Sequence, residues 1–224
     1  RVLTSTEQCN LGVLLNSGDS LAMMRREGQE ERFVRDYLSR YAAAFDAVSV
    51  FSYGDDRDRP LPNVAFVPGR PRWKGLIYAL LLPMLHAARL RRLSLLRVLQ
   101  TGAALPAVLA RLLFGVPFVT TYGYLYGDSM RVQGRRFYAW YLDRLERVAL
   151  RLAKKVIVTT LALAAHVRKF VPEEKIVLLP NGVDLSRFTP VAPTRREGKA
   201  VVLFVGRFSV QKNLPLLVEA LAPL

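Results

Sequence analysis

The chain has 224 residues, 33 basic and 18 acidic, for a net charge of +15 and an isoelectric point near 10.5. With 51% hydrophobic and 23% charged residues it has the balance of a globular chain, which excludes wholesale disorder, and its length fits one domain or one and a fraction. A single cysteine, Cys9, and two histidines, His86 and His166, exclude a disulfide framework, a cysteine-based zinc site and a histidine-rich metal centre, and fit a reducing compartment.

Strand and helix signals alternate along the chain. Gly12 to Leu15 predicts a first strand. Glu30 to Phe45 predicts a helix, because Phe33, Tyr37, Tyr41 and Ala44 recur at steps of three or four. Ala47 to Tyr53 alternates and is rich in Val and Phe, the pattern of a strand; Val64 to Val67 is a short strand between Pro62 and Pro68. An apolar helix follows, then a strand at Leu95 to Leu99. Ala104 to Phe114 is helical and closed by Gly115. Val116 to Thr121 is a strand, Arg135 to Ala153 a long amphipathic helix, Val156 to Thr159 a strand, Leu161 to Phe170 a helix and Ile176 to Leu179 a strand. Such alternation predicts an α/β fold, a parallel sheet with helices on both faces.

The sheet is expected to finish at Pro180-Asn181-Gly182-Val183-Asp184, giving a first domain over 1–189. A polar, proline-bearing stretch makes 190–199 the linker. A new strand over Ala200 to Val205 and a helix from about Asn213 would then open a second domain over 200–224. The chain starts at Arg1 with no basic region followed by an apolar run, so no signal peptide is read, and it stops at Leu224 within a helical pattern. The expectation is a fragment of a longer protein.

The charge is unevenly spread. Of the basic residues 26 are arginine, which a compositional habit of the genome explains as readily as function does. Between Arg59 and Gly127, however, there is no acid, while nine arginines and lysines fall in that window. Such a surface suits anionic lipid, phosphorylated substrates or nucleic acid. Inside it, Leu76 to Ala88 is an apolar run of 13 with Pro83 and His86, shorter than the ~20 residues of a spanning helix. Trp73 and Lys74 before it, with Arg89, Arg91 and Arg92 after it, mark a segment able to lie on an anionic bilayer; a buried core helix with solvated basic ends is the alternative. Zinc-finger spacing and the aromatic strand motif of RNA-recognition sheets are missing, and no nucleic-acid partner is expected.

In an open parallel sheet, ligands bind beyond the carboxyl ends of the strands. Four loops qualify: Asn16 to Gln29, Gln100-Thr101-Gly102, Tyr122 to Gly127, and the loop after Val205. A Gly-x-Gly-x-x-Gly after the first strand and a loop ending Gly-Lys-Ser/Thr are both missing, which disfavours an NAD dehydrogenase and a P-loop NTPase. Val205-Gly206-Arg207-Phe208-Ser209-Val210-Gln211-Lys212-Asn213 is the most specific. A glycine lets backbone approach a ligand, a following helix N-terminus favours an anion, and Arg207 and Lys212 add two cations. Together they suit a diphosphate; two ordinary surface cations are the alternative.

Two stretches resemble the retaining GT-B glycosyltransferases of family four. Asn181-Gly182-Val183-Asp184, with Phe188 and Pro190, resembles the Asn-Gly-Val-Asp-x-x-x-Phe-x-Pro segment closing the family's first domain. Val202 to Lys212 resembles its Phe-x-Gly-Arg-(Leu/Phe)-x-x-x-Lys segment opening the donor domain. The resemblance implies a GT-B-type Rossmann-like fold whose second Rossmann-like domain is truncated here. It also implies an interdomain cleft that takes a nucleotide-diphosphate sugar as donor, and a polysaccharide or lipid-linked glycan as acceptor. Gly206, Arg207 and Lys212 would bind the donor, with Arg207 and Lys212 as the catalytic cations neutralising its diphosphate; no metal or other cofactor is then expected. Retention would proceed by same-face attack, in the cytoplasm or at the cytoplasmic face of the membrane.

On the acceptor side the candidates are Gly28, Tyr122, Gly123 and Tyr124, with Asn181 and Gly182 at the hinge. Departures are visible. The family's glycine-rich loop after the first strand is represented only by Gly28, with Gly12 and Gly18 upstream, and Tyr122 stands where many members carry histidine. Tyr122, Tyr124 and Tyr126 stack on a sugar in one reading and cap a loop in the other. The family's pair of glutamates seven residues apart would lie beyond Leu224. Two rivals remain: a non-catalytic basic module binding anionic membrane or nucleic acid, and a GT-B epimerase or phosphorylase.

Overall fold

Seven short strands carry the apolar segments: β1 Asn10–Leu14, β2 Ala47–Phe51, β3 Val64–Val67, β4 Leu95–Val98, β5 Phe118–Tyr122, β6 Lys155–Val158 and β7 Ile176–Leu178. The computed structural model describes residues 8–70, 75–183, 185, 201–206, 208 and 210–222. All the strands pair in parallel, in the order β3-β2-β1-β4-β5-β6-β7. The order reverses between β1 and β4, where Val13 lies opposite Val50 on one side and Arg97 on the other.

Helices follow from the crossovers that parallel pairing demands. They are α1 Leu21–Arg26, α2 over 30–44, α3 Gly75–Leu85, α4 Ala87–Leu90, α5 Leu105–Phe114, α6 Tyr126–Val132, α7 Arg136–Leu152, α8 Leu161–Val167 and α9 Leu214–Leu221. A right-handed crossover puts helices on one face while the chain moves toward β3 and on the other while it moves toward β7. Two separate cores result. Leu11, Val13, Leu15, Val48, Val50, Val64 and Phe66 meet Leu21, Phe33 and Leu38 of α1 and α2. Leu14, Leu96, Val98, Phe118, Tyr122, Val156 and Val158 meet α3, α5, α7 and α8 on the opposite face.

Every strand predicted for the first domain is present, Val64–Val67 with the same bounds. Gly115 closes α5 with φ 73°, and its N–H donates to Arg111 O at 3.1 Å. The helix predicted from Glu30 to Phe45 is a single run, but its middle, Phe33–Leu38, is wound as π-helix between the α turns Glu30–Arg32 and Ser39–Ala44. Asn63 fastens its far end, donating from Nδ2 to Ala42 O at 2.8 Å and Phe45 O at 2.9 Å. The sequence reading assigned no helix to α1 or α6.

One expectation is corrected. Val201 to Val205 carries no strand, and all but Phe204 of these residues are exposed. A strand exists only through hydrogen bonds to a neighbour, and the described residues offer this segment none. Downstream, Val210–Lys212 forms a short 3-10 turn and α9 begins at Leu214, close to the predicted start. Trp73, Lys74, Asp184, Phe188, Pro190 and the linker 190–199 lie outside the described residues.

Candidate functional site

The carboxyl ends of the strands bring five loops to one edge. After β1, Ser20 caps α1, its Oγ accepting from Met23 N at 3.1 Å. Asp56, buried at 6% exposure, takes two more of the free N–H groups of α1, from Leu21 at 2.7 Å and Ala22 at 3.2 Å. Ser52 Oγ donates to the same carboxylate. The β1 loop is thus fastened from below by a side chain 35 residues away in sequence. Asn16 Nδ2 donates to Asp19 Oδ2 at 2.9 Å, and burial holds the Asp19 carboxyl above its ordinary pKa.

The loops after β4 and β5 are knitted together. Thr101 Oγ1 donates to Thr121 O at 2.9 Å, and Tyr126 Oη donates to Gln100 Oε1. Gly102 lies against the Tyr126 ring, where a Cβ would stand 2.9 Å from Cδ1, and at Gly123 a Cβ would come within 3.0 Å of Gln100 Oε1. Beneath them the Tyr122 ring stacks on His166, centroids 5.5 Å apart and planes 2° apart. His166 Nε2 is 2.9 Å from Oε1 of the buried Glu146. Burial raises the Tyr122 phenol strongly, with the Glu146 carboxylate beside it adding to the effect.

Between these loops and the uncovered half of the sheet lies a cleft of about 400 Å³. Arg97, Thr121 and Ile157 form its floor, Asn16, Asp19 and Gln100 one wall, and Leu179 to Gly182 the other. Leu96 and Val98 point into the α3–α5 core, so the residue between them faces the other way, into the cleft. The Arg97 guanidinium donates to Thr121 Oγ1 at 2.6 Å and Val98 O at 2.5 Å. Among the described residues no carboxylate approaches it within ion-pair distance. A half-buried cation that forms no ion pair among the described residues, flanked by amides and hydroxyls, is suited to an anionic or hydroxyl-rich ligand.

The residues predicted from sequence are distributed unevenly about this cleft. Asn181 and Gly182 line it. Gly123 sits half-buried against Gln100, and Tyr124 is 48% exposed with its ring 4.1 Å from that of Tyr126. Tyr122 is fully buried, so its ring packs under the loop and away from the cleft surface. Gly28 is exposed at φ 67°, where it turns the chain from α1 toward α2; its neighbour Gln29, not Gly28 itself, lines the cleft. Gly206 and Lys212 are exposed, whereas Arg207 lies outside the described residues. Among the described residues no group of three or more His, Cys, Asp or Glu side chains is placed to hold a metal ion.

Sequence reasoning missed Asp56, Arg97 and the Glu146–His166 pair. For Arg97 a signal existed: an arginine inside Leu-Leu-Arg-Val-Leu marks a strand with one face open to polar surroundings.

The sequence model of Glycosyltransferase Family 4 matches residues 30–187, which hold all of the sheet except β1. The chain belongs to that family. No curated protein matches it. Sucrose-phosphate synthase from Thermosynechococcus elongatus superposes with a TM-score of 0.67 at 20% identity, over 97% of this chain and 60% of the synthase. The chain therefore spans less than two thirds of that protein's length. UGT2 of Phytolacca americana, solved with UDP-2-fluoro-glucose and pterostilbene, is more distant, with a TM-score of 0.41 at 12% identity over 80% of this chain and 55% of the other. The parallel sheet is thus the GT-B-type Rossmann-like domain that the family four resemblance implies.

Proposed function

We propose that this chain is the acceptor-side domain, with the start of the donor domain, of a glycosyltransferase moving a sugar from a nucleotide-diphosphate donor to a polysaccharide or lipid-linked acceptor with retained configuration. The observation that carries the reading is the cleft at the carboxyl edge of a Glycosyltransferase Family 4 sheet, lined by Arg97, which has no ion-pair partner among the described residues, together with Asn181 and Gly182. The acceptor would lie over Arg97, Asn16 and Gln100, with the Gly123–Tyr124 loop along its rim.

The donor half of the reading rests on Gly206, Arg207 and Lys212. As the glycosidic bond breaks, negative charge grows on the leaving nucleotide diphosphate, and cations fixed beside it stabilise the transition state more than the ground state. Two cations there perform the task otherwise assigned to a divalent metal. Asn181 and Gly182 serve as the hinge at the cleft's margin. On this reading the enzyme acts in the cytoplasm or at the cytoplasmic face of the membrane.

The test is Arg207→Ala with Lys212→Ala in the full protein, assayed for sugar transfer. Turnover should fall by several orders of magnitude, on the scale of removing transition-state charge stabilisation. Near-normal transfer overturns the reading, as does an epimerase or phosphorylase product in the same assay.

A further inference from the structure

Helix α3 is apolar all round, although one side of it faces outward. Tyr78, Ala79, Leu82 and Pro83 are buried against the sheet and α5. Leu76, Ile77, Leu80, Leu81, Met84 and Leu85 form the opposite stripe, each 40–63% exposed. They recur at alternating steps of one and three, so they share a single face along ten of the eleven residues, ~15 Å of helix. A globular surface helix turns charged residues outward, and this one has none. Contiguous aliphatic surface of this kind marks an interaction site.

The surroundings identify the partner's chemistry. From Gly75 to Phe114, through α3, α4 and α5, there is no Asp or Glu. Immediately beyond the aliphatic stripe come Arg89, Arg91 and Arg92, all exposed. Arg91 sits over the Phe114 ring at 4.8 Å, which ties this basic end to the tip of α5, where Arg111, Leu112 and Leu113 are exposed as well. On α7, beside α5 in the same layer, Phe137 and Trp140 also face outward. The stripe is aliphatic and bordered at its C-terminal end by arginine, with the exposed Phe137 and Trp140 farther along. Hydrocarbon fits the stripe, and lipid phosphate fits the arginines. Among the described residues no helix is long and apolar enough to cross a membrane, so contact would be lateral.

We propose that the outward face of α3, with Arg89 and Arg92 beyond its end, docks the protein on an anionic lipid bilayer. The helix lies in the plane of the interface, its aliphatic stripe among the outer acyl carbons and the arginines on headgroup phosphates. Gly75, at the start of α3, is next to Ser17 of the β1 loop. The docking face therefore begins beside the cleft, and a lipid-linked acceptor would reach the cleft without leaving the bilayer.

The test is flotation of the full chain with phosphatidylcholine vesicles containing about one third phosphatidylglycerol. The wild type should float with these vesicles at low salt and be released by high salt. Leu80→Asp with Met84→Asp should lower the bound fraction about tenfold or more. Both positions are exposed, so the thermal midpoint should stay near that of the wild type and separate lost docking from lost folding. Arg89→Gln with Arg92→Gln should weaken binding roughly fivefold per residue and erase the preference for phosphatidylglycerol. A wild type that stays in the soluble fraction overturns the proposal, as does vesicle binding indifferent to Leu80→Asp. A dimer, or a complex with an acidic protein, that Leu80→Asp dissolves while vesicle binding persists also overturns it. Flotation needs no donor, so its outcome is independent of the transferase reading.

Discussion

The two faces of the sheet are finished differently. On one, α3, α5, α7 and α8 roof the strands continuously and seal Leu96, Val98, Phe118, Tyr122, Val156 and Val158 from solvent. On the other, the core under α1 and α2 is centred on β1 to β3 and reaches Leu95 and Leu99 at β4, and among the described residues the half over β4 to β7 carries half-exposed Arg97, Thr121 and Ile157. The rule of right-handed crossovers accounts for the asymmetry: four successive connections toward β7 all fall on the same side. The roofed face supplies rigidity. The bare half supplies room for a ligand beside a rigid floor. Each face also breaks one expectation, since the roof is apolar outside and the open floor carries a cation.

The largest effect belongs to the roof. Leu82→Ala removes a fully buried side chain of α3 and should cost about 2–5 kcal/mol in urea unfolding. Leu80→Ala, two residues away on the outward stripe, should change stability by no more than about 0.5 kcal/mol. Equal costs would mean that the stripe is covered and the contrast between the two sides of α3 false. Next comes the fastening of the cleft wall. Asp56→Ala leaves two α1 N–H groups and the Ser52 hydroxyl without their acceptor and should cost about 2–3 kcal/mol by the same measurement. Stability unchanged on that substitution would show that α1 is not held from beneath.

On the open half the sign of the contrast reverses. Arg97→Gln should raise the acceptor KM about tenfold in the full protein while shifting stability by about 1 kcal/mol or less. A large stability loss with unaltered KM would make Arg97 part of the scaffold instead.

The smallest effect concerns His86, at the lower end of the roof. Its Nε2 is 3.3 Å from Tyr78 Oη, and burial, with Arg89 and Arg70 nearby, lowers its pKa from the ordinary value near 6.5. The unfolded chain then binds a proton more readily than the folded one. Stability from this residue is whole above about pH 6.5 and is lost as pH falls toward the folded pKa. His86→Gln should flatten that slope in unfolding curves taken from pH 7.5 to pH 5 (roughly the range in which histidine titrates).

Strand periodicity made the sheet legible, because every strand is a short Val- or Leu-rich run between turn residues. What stayed hidden depends on distant partners. Helix α1 is six residues long, too short to show a period, and it owes its start to Ser20 and to Asp56 on another loop. Helix α6 begins Tyr-Gly-Asp-Ser, a sequence that reads as a loop. Gly127 lets it press against Asp143 of α7, and Arg131 bonds both Asp128 and Asp143 across the same contact. The rule for parallel sheets pointed to the carboxyl edge, where the structure has a cleft lined in part by Asn181 and Gly182. Arg97 was counted only as one charge among many, since its isolation is a property of the fold. The segment over 201–205 shows the converse, an apolar run whose strand character requires a neighbour.

The edge strand β7 has a practical consequence. It is only three residues long, ends the sheet, and leaves Val177, Leu178 and Leu179 exposed. Among the described residues no strand pairs with its outer backbone groups, which leaves a hydrogen-bonding template flanked by aliphatic side chains, the arrangement from which chains add to one another as fibrils. Lys175, Glu174 and Glu173 stand immediately before it as gatekeeping charges. Concentrated stocks of the chain are therefore best kept where those charges remain ionised. A charged replacement at Val177 should lessen self-association of the chain without touching its core.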